Sequence, residues 1–223
     1  MSDPFATLVA DARAFFAELE ANNSRDWFEP RKEHYAAAIR QPAERLCELV
    51  SNEIARLTGE PHAGKVYRIH RDVRFSKDKR PYNAHLHMAW SQGLLQNEDG
   101  VAPVWFFACS PKMLTVNMGV PKFEGGGLTA WRTLVDLHGD DLTDAIAQTR
   151  ASLSDWGEGP LKKVPAPYGA AHPHADLLKC RSLILDAPLG EAWQAEGQAL
   201  PGAIMARCAG MLPVWRLLNA HLR

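Results

Sequence analysis

Residues 103–118 read PVWFFACSPKMLTVNM, and this stretch decides the fold class of the chain. Residues 103–109 and 113–118 are short runs rich in β-forming residues, and the Ser-Pro-Lys between them is typical of a hairpin turn. Upstream, residues 66–75 and 84–90 alternate between polar and apolar side chains, which is the period of a β-strand. The connections are too short for helical crossovers, so we expect these four strands to form an antiparallel sheet.

The segments on both sides of these strands have a helical pattern. Helices are predicted in residues 5–19, 46–54, 128–137, 142–153, 189–198 and 201–222. Pro42 should kink or split its helix, because proline lacks a backbone N–H and its ring clashes with the preceding turn. Residues 181–185 are a fifth predicted strand. The order of elements predicts an α+β fold, with a mainly antiparallel sheet of about five strands packed with N- and C-terminal helices. We expect residues 1–223 to form a single domain.

The overall composition is that of an ordinary globular protein, with 46% hydrophobic and 23% charged residues. The net charge of −1 gives the whole molecule no bias towards polyanions or anionic membranes. We expect no membrane association, because no apolar run is long enough to span a bilayer and the N-terminus lacks the pattern of a signal peptide. The four cysteines form no CxxC pair, which argues against a zinc ribbon or a redox motif and favours reduced thiols in a cytoplasmic protein.

Charge is concentrated in residues 65–82, which read KVYRIHRDVRFSKDKRPY. This segment carries seven basic and two acidic residues, so its net charge is +5 and that of the remaining chain is −6. A compact basic segment on a mildly acidic body favours a discrete anionic ligand over a long polyanion.

The arginines in this segment have the spacing of an anion receptor. A regular strand over residues 66–75 would place Arg68, His70, Asp72 and Arg74 on one face. Guanidinium groups held by a carboxylate between them form a preorganised receptor for phosphate or carboxylate groups. Arg71 would lie among the apolar residues of the other face, where it must be paired with a carboxylate or mark a bulge. The predicted ligand-binding residues are Arg68, Arg71, Arg74, Lys77, Lys79 and Tyr82. In the alternative interpretation, the same groups form only an internal salt-bridge network.

Candidates for proton transfer near this segment are Asp72, Asp78 and His85, since phosphoryl chemistry needs a base or a metal. His85 and His87 share one face of their predicted strand, and His70 is a conceivable third metal ligand. No carboxylate or cysteine stands at a supporting spacing, so we expect hydrogen-bonded histidines and no metal site. No serine or cysteine has the context of a covalent nucleophile. The sequence assigns neither a cofactor nor an oligomeric state.

Three further clusters are candidate sites. His172-Pro173-His174 with Asp176 is expected to cap a short helix, and His172, like His85, is a candidate general acid or base if the fold brings it to the basic segment. Gly125-Gly126-Gly127 precedes a predicted helix and matches no nucleotide-binding spacing, so we expect a flexible turn rather than an anion site. Asn22, Asn23 and Arg25 are candidates for reaching the same pocket, although helix termination alone explains the asparagines.

The basic segment also resembles a family signature. Residues 68–82 match R-x-x-R-D-x-R-F-x-x-[DN]-K-x-x-Y, the pattern of the mostly bacterial domain of unknown function 2461 family, at Arg68, Arg71, Asp72, Arg74, Phe75, Asp78, Lys79 and Tyr82. The resemblance extends over nearly the whole chain, through ANNSRDWF at 21–28, GGGL at 125–128 and residues 161–183. Asn83 departs from the pattern, since a lysine commonly follows the tyrosine, and this departure implies weaker binding if that lysine contacts ligand. The family brings no established activity, so the resemblance implies where a site lies and not its chemistry.

These observations favour binding of a small phosphate-containing or other anionic ligand, with phosphoester chemistry as an option, and leave open whether the protein is an enzyme. One alternative is a nucleic-acid binding module in which Tyr67, Phe75 or Tyr82 stacks on bases; the near-neutral total charge disfavours it. The other is a non-enzymatic structural or partner-binding protein. The pairing of the cations in the basic segment should distinguish the three.

Overall fold

A computed structural model describes residues 5, 7–93, 101–190, 193 and 199–222. In these residues, six strands form one antiparallel sheet: β1 (Ala63–Val66), β2 (Leu86–Ser91), β3 (Val104–Cys109), β4 (Leu114–Val120), β5 (Ser152–Leu153) and β6 (Leu183–Pro188). Their order is β1-β2-β3-β4-β6-β5. The predicted hairpin is confirmed, because Cys109 lies opposite Leu114 and Ser110 N–H donates to the carbonyl of Met113 at 2.8 Å. The sheet has six strands where about five were predicted.

The described helices are α1 (Leu8–Ala21), α2 (Arg25–Phe28), α3 (Lys32–Tyr35), α4 (Gln41–Thr58), α5 (Gly125–Gln148), α6 (Ala175–Lys179) and α7 (Leu200–His221). The predicted effect of Pro42 is confirmed, since a π-helical turn over Ala36–Arg40 joins α3 to α4. Pro42 lies in the first turn of α4, directly after this π-helical turn. None of the described helices combines the length and apolarity needed to cross a bilayer.

The main core lies on one face of the sheet. Met88, Phe107 and Val116 are register neighbours on three adjacent strands and are completely buried. Helices α1, α4 and α7 contact the strands and cover this face. Because side chains alternate along a strand, the residues between these core positions point to the opposite face.

That opposite face carries four aromatic side chains, which we call the aromatic row: Tyr67, His87, Phe106 and Trp156. Tyr67 stacks on His87 with ring centroids 4.7 Å apart, and His87 stacks on Phe106 at 5.6 Å. Trp156 packs its edge on Phe106 at 5.0 Å. The row holds Tyr67 and His87 at the end of the sheet where the basic segment leaves it.

The prediction of a strand over residues 66–75 is wrong. Strand β1 ends at Val66. Between β1 and β2, the chain makes one isolated β-bridge, which joins His70 and Tyr82. Asp72 Oδ1 accepts the backbone N–H of Arg74, and Asp78 Oδ1 accepts that of Arg80. Such local side-chain to backbone bonds compete with the ladder of a sheet, so polar alternation here produces a loop.

The C-terminal half contains two more differences from the sequence interpretation. Helix α5 is one merged element that bends at His138, where φ is −133° and ψ is 28°, and it ends before residues 152–153, which form β5. Gly125-Gly126-Gly127 forms the first turn of α5 rather than a turn before it. The predicted helix over 189–198 cannot be compared, because 191, 192 and 194–198 lie outside the described residues.

Candidate functional site

Residues 67–83, which we call the basic loop, form a closed excursion from the sheet. Its two ends are joined where Arg71 N–H donates to Pro81 O at 2.8 Å and Asn83 N–H donates to Ile69 O at 2.7 Å. At the tip, Lys79 Nζ donates to the carbonyl of Val73 at 3.0 Å. The loop therefore has a defined shape without being a strand.

Tyr82 anchors the basic loop to the core and is 2% exposed. Asn23 bonds both backbone groups of Tyr82, donating from Nδ2 at 3.0 Å and accepting at Oδ1 at 3.1 Å. The Tyr82 ring packs on Phe28 with centroids 4.3 Å apart. The structure thus gives Tyr82 an anchoring position, and Asn23 reaches the basic segment, as one interpretation of the sequence allowed.

Two arginine–aspartate pairs of the same geometry lie along the loop. Arg74 donates from Nε and Nη2 to Asp72, and Arg80 donates from Nε and Nη2 to Asp78. These hydrogen bonds hold the pKa of both carboxyl groups below the ordinary range for aspartate. Asp72 and Asp78 are therefore ionised, already engaged and poorly suited to act as bases near neutral pH.

Arg71 is half-buried and paired with a carboxylate, although the strand from which its position among apolar residues was predicted does not form. Its Nη1 donates to Asp78 Oδ2 at 2.8 Å and to the carbonyl of Arg80 at 3.2 Å. Asp78 consequently bridges the guanidinium groups of Arg71 and Arg80, and part of the hydrogen-bond donors of Arg71 are used to hold the loop.

Arg68 and Lys77 are the basic-loop cations whose side chains form no hydrogen bond or ion pair within the described part of the chain. Lys77 is exposed on the loop, whereas Arg68 stands in the wall of a cavity. Arg71, Arg74, Lys79 and Arg80 all have internal partners. Most of the segment is thus an internal network, and its free charge lies at Arg68 and Lys77.

Two adjoining cavities border the basic loop. The first, which we call the histidine cavity, has a volume of about 350 Å³ and is lined by Tyr67, Arg68, His70, Arg71, Asp72, Asn83, His85 and His87. The second, the hairpin cavity, has a volume of about 400 Å³ and extends to the β3–β4 turn at 110–113. Its charged lining residues are Glu20, Arg71, Asp78, Arg80 and Lys112. Arg71, Asn83 and His85 line both cavities and form what we call the shared wall.

His85 and His87, which both line the histidine cavity, are neutral at pH 7. Burial in the aromatic row, with a smaller effect of neighbouring His85, lowers the pKa of His87 to about 4. Burial also lowers the pKa of His85. His85 makes no side-chain hydrogen bond within the described residues, and it lines both cavities. No cluster of three or more His, Cys, Asp or Glu side chains suitable for a metal occurs among the residues that the structure describes.

The histidine cluster near residue 173 lies elsewhere and fastens a loop to α5. His172 Nε2 lies 3.2 Å from Asp136 Oδ1, and His174 Nε2 lies 2.9 Å from Asp140 Oδ1. A Cβ at Gly139 would come within 2.1 Å of the His174 ring, so the contact requires glycine. This cluster is a packing contact.

Comparison with known proteins places the chain in a family. The family model described as conserved hypothetical protein (DUF2461) matches residues 11–216. The chain belongs to this family. The matched range contains the DUF2461-like basic loop and all lining residues of both cavities. A comparison with curated proteins found no match.

Two lining residues had little or no signal in the sequence. Lys112 belongs to the hairpin turn and approaches the basic loop only because β3 and β4 end beside it. Asn83 was noted as a departure from the DUF2461 pattern, and the structure places its amide in the shared wall, where Nδ2 donates to Arg68 O at 3.3 Å.

Proposed function

We propose that the protein binds a small phosphate-containing anion in the histidine cavity, with Arg68 as the principal charged contact. The observation that carries this proposal is that Arg68 lines the cavity and its guanidinium makes no hydrogen bond or ion pair within the described chain, although its charge acts on Asp72 in the same wall. An unpaired guanidinium retains its full set of donors, arranged to bind two phosphate oxygens at once.

The rest of the histidine cavity supports an anionic occupant. Asp72 is the acidic residue in its wall, and Arg74 already neutralises that carboxylate with two hydrogen bonds. Neutral His85 and His87 add polar groups without adding charge. Because the anchored loop fixes the backbone near Arg68, binding needs little additional ordering.

Phosphoester chemistry in this cavity is an extension of the proposal, and His85 is the residue to which we assign proton transfer. Its ring is neutral near pH 7, as a general base must be, and it stands in the wall beside Arg71 and Asn83. Asp72 and Asp78 do not fit that role, because their arginine partners lower their pKa values.

We also propose a cytoplasmic protein. All four cysteines are free, and three of them are buried in the structure. Free thiols are typical of reducing compartments, in which phosphorylated metabolites are common ligands.

Calorimetric titration with a panel of nucleotides and sugar phosphates at low ionic strength tests the proposed site. We expect at least one compound to bind, and Arg68→Ala to weaken it by about tenfold or more, as expected for loss of a charged hydrogen-bond partner. Arg56→Ala is the matched control, because Arg56 is exposed on α4 and pairs only with nearby Glu53. Absence of binding across the panel, or equal affinity of Arg68→Ala and the wild type, would overturn the proposal.

A second candidate function, binding of single-stranded nucleic acid, is favoured by one observation. Phe75 is 96% exposed at the tip of the loop, and the Arg74 guanidinium lies 5.9 Å from the centre of its ring. An exposed aromatic ring beside cations is a typical stacking platform for bases. Tyr82 is buried and Tyr67 lies between His87 and Lys65, so the platform would rest on Phe75 alone.

Fluorescence anisotropy with a labelled single-stranded oligonucleotide separates the two candidates. Nucleic-acid binding predicts a steep loss of affinity with added salt and a loss of about 5- to 100-fold in Phe75→Ala. Binding of a small phosphate in the histidine cavity should not change in Phe75→Ala. If the oligonucleotide does not bind at low salt, the second candidate is excluded.

A further inference from the structure

Each of the two cavities has a cation of its own that is not neutralised. Arg68 belongs to the histidine cavity, and Lys112 belongs to the hairpin cavity. Lys112 bonds Ser110 Oγ through its backbone N–H at 3.3 Å, and its ammonium group has no ion pair within the described residues. The two free cations therefore stand on opposite sides of the shared wall formed by Arg71, Asn83 and His85.

The balance of charge is similar on both sides of that wall. In the histidine cavity, Arg74 pairs with Asp72 from outside the lining, so the charge of Arg68 is in excess. In the hairpin cavity, three cations (Arg71, Arg80 and Lys112) face two carboxylates (Glu20 and Asp78). With the histidines neutral, each cavity retains an excess of one positive charge. An excess on both sides favours an anionic group in each cavity.

The wall between the cavities is held in place from several directions. Arg71 bonds Asp78 and the carbonyl of Arg80 through its side chain. Asn83 bonds Ile69 O through its backbone N–H and Arg68 O through its side chain. The distance between the two anion positions is consequently set by the anchored loop, and a ligand of matching length would bind without reorganising the wall.

We propose that the ligand is a small molecule with two phosphate groups at separate positions, one bound in each cavity while its body crosses the shared wall. This inference rests on the proposed function and adds the substrate class: a bisphosphate rather than a monophosphate. Arg68 binds the first phosphate, Lys112 binds the second, and the Asn83 amide and His85 ring contact the body between them. Each cavity is larger than one phosphate group requires, so the body of the ligand extends into both.

Pairs of ligands that differ by one phosphate test this inference. Adenosine 3′,5′-bisphosphate is compared with adenosine 5′-monophosphate, and fructose 1,6-bisphosphate with fructose 6-phosphate, by calorimetric titration of the full chain. We expect the bisphosphate of at least one pair to bind tenfold or more tightly than its monophosphate. Pyrophosphate serves as a control because its two phosphates share one bridging oxygen and leave no body to cross the shared wall, and it should bind no more tightly than a monophosphate.

Variants assign the phosphates to the cavities. Lys112→Ala should weaken bisphosphate binding about tenfold and leave monophosphate binding unchanged, whereas Arg68→Ala should weaken both. Lys163→Ala is the matched control, because Lys163 is exposed and lines neither cavity. Lys112 is exposed on the hairpin turn, so an unchanged melting temperature should show that Lys112→Ala folds normally.

Two negative results have different meanings. If monophosphate and bisphosphate bind equally and Lys112→Ala has no effect, the two-cavity inference is wrong and the Arg68 site remains. If Arg68→Ala leaves all binding unchanged, or no phosphate compound binds, the proposed function itself is wrong, and the bisphosphate inference is overturned with it.

Discussion

Arg71 donates a hydrogen bond to Asp78 at 2.8 Å, and this pair closes the basic loop across seven residues of sequence. Asp78 also accepts hydrogen bonds from the Arg80 side chain, so one carboxylate binds two of the cations of the segment. The most conspicuous charges of the sequence are therefore largely used to shape the loop. In the part of the chain that the structure describes, the basic-loop cations without a side-chain hydrogen bond or ion pair are Arg68 and Lys77, because Arg71, Arg74, Lys79 and Arg80 have internal partners.

Asp78→Asn should loosen the basic loop, because an amide cannot accept the charged hydrogen bonds of both Arg71 and Arg80. We expect faster amide hydrogen exchange at Arg71 and Asn83, whose N–H groups close the loop. Asp72→Asn is the control, since Asp72 bonds only Arg74 and should leave these two amides protected. Equal exchange in both variants would contradict the role given to Asp78.

Asn23→Ala should destabilise the protein by about 1–3 kcal/mol, because both backbone groups of Tyr82 lose their partner in a partly buried environment. Urea unfolding measures this free energy. The adjacent Asn22 is exposed and bonds only Glu18 O, so Asn22→Ala should cost no more than about 0.5 kcal/mol. The prediction fails if the two variants unfold at the same urea concentration.

Stability should fall between about pH 6.5 and pH 4, because the pKa of His87 is about 4 in the folded protein and near its ordinary value when unfolded. Above this window, His87 is unprotonated in both the folded and the unfolded state. Within it, the unfolded state binds more protons at His87, so lowering the pH reduces the free energy of unfolding by up to roughly 3 kcal/mol. His87→Phe keeps an aromatic ring in the row and should remove most of this dependence. Denaturant titrations at pH 7.5 and 4.5 provide the comparison; an unchanged pH dependence in the variant would refute the assignment.

Gly139→Ala should cost about 1–3 kcal/mol, because its Cβ would press against the His174 ring and displace the pair with Asp140. Gly210→Ala is the control within a helix: nothing lies within 4 Å of the added Cβ, so this change should be neutral or stabilise by up to about 1 kcal/mol. Thermal unfolding of both variants tests the contact, and a Gly139→Ala protein as stable as the wild type would exclude it.

The elements that the sequence predicted well are those specified by neighbouring residues. Ser110-Pro111-Lys112 lies between two β-rich runs, so hairpin and register follow from local preference and burial. Pro42 interrupts the helix wherever the chain goes, since its ring geometry is intrinsic. The strand predicted over residues 66–75 does not form. Alternation of polar and apolar residues alone does not show that Asp72 and Asp78 bond the backbone locally.

The sequence by itself determined the α+β class, the antiparallel sheet and the location of a basic segment. These features depend on periodicity, turn chemistry and residue identity. Only the tertiary structure decided which cations are free, because pairing depends on three-dimensional distance. It placed Lys112 beside a loop some thirty residues away in sequence, and it buried His87 between Tyr67 and Phe106, which makes that histidine neutral. The sequence shows which side chains can carry a charge. Whether a charge is neutralised or desolvated depends on neighbours that only folding brings together.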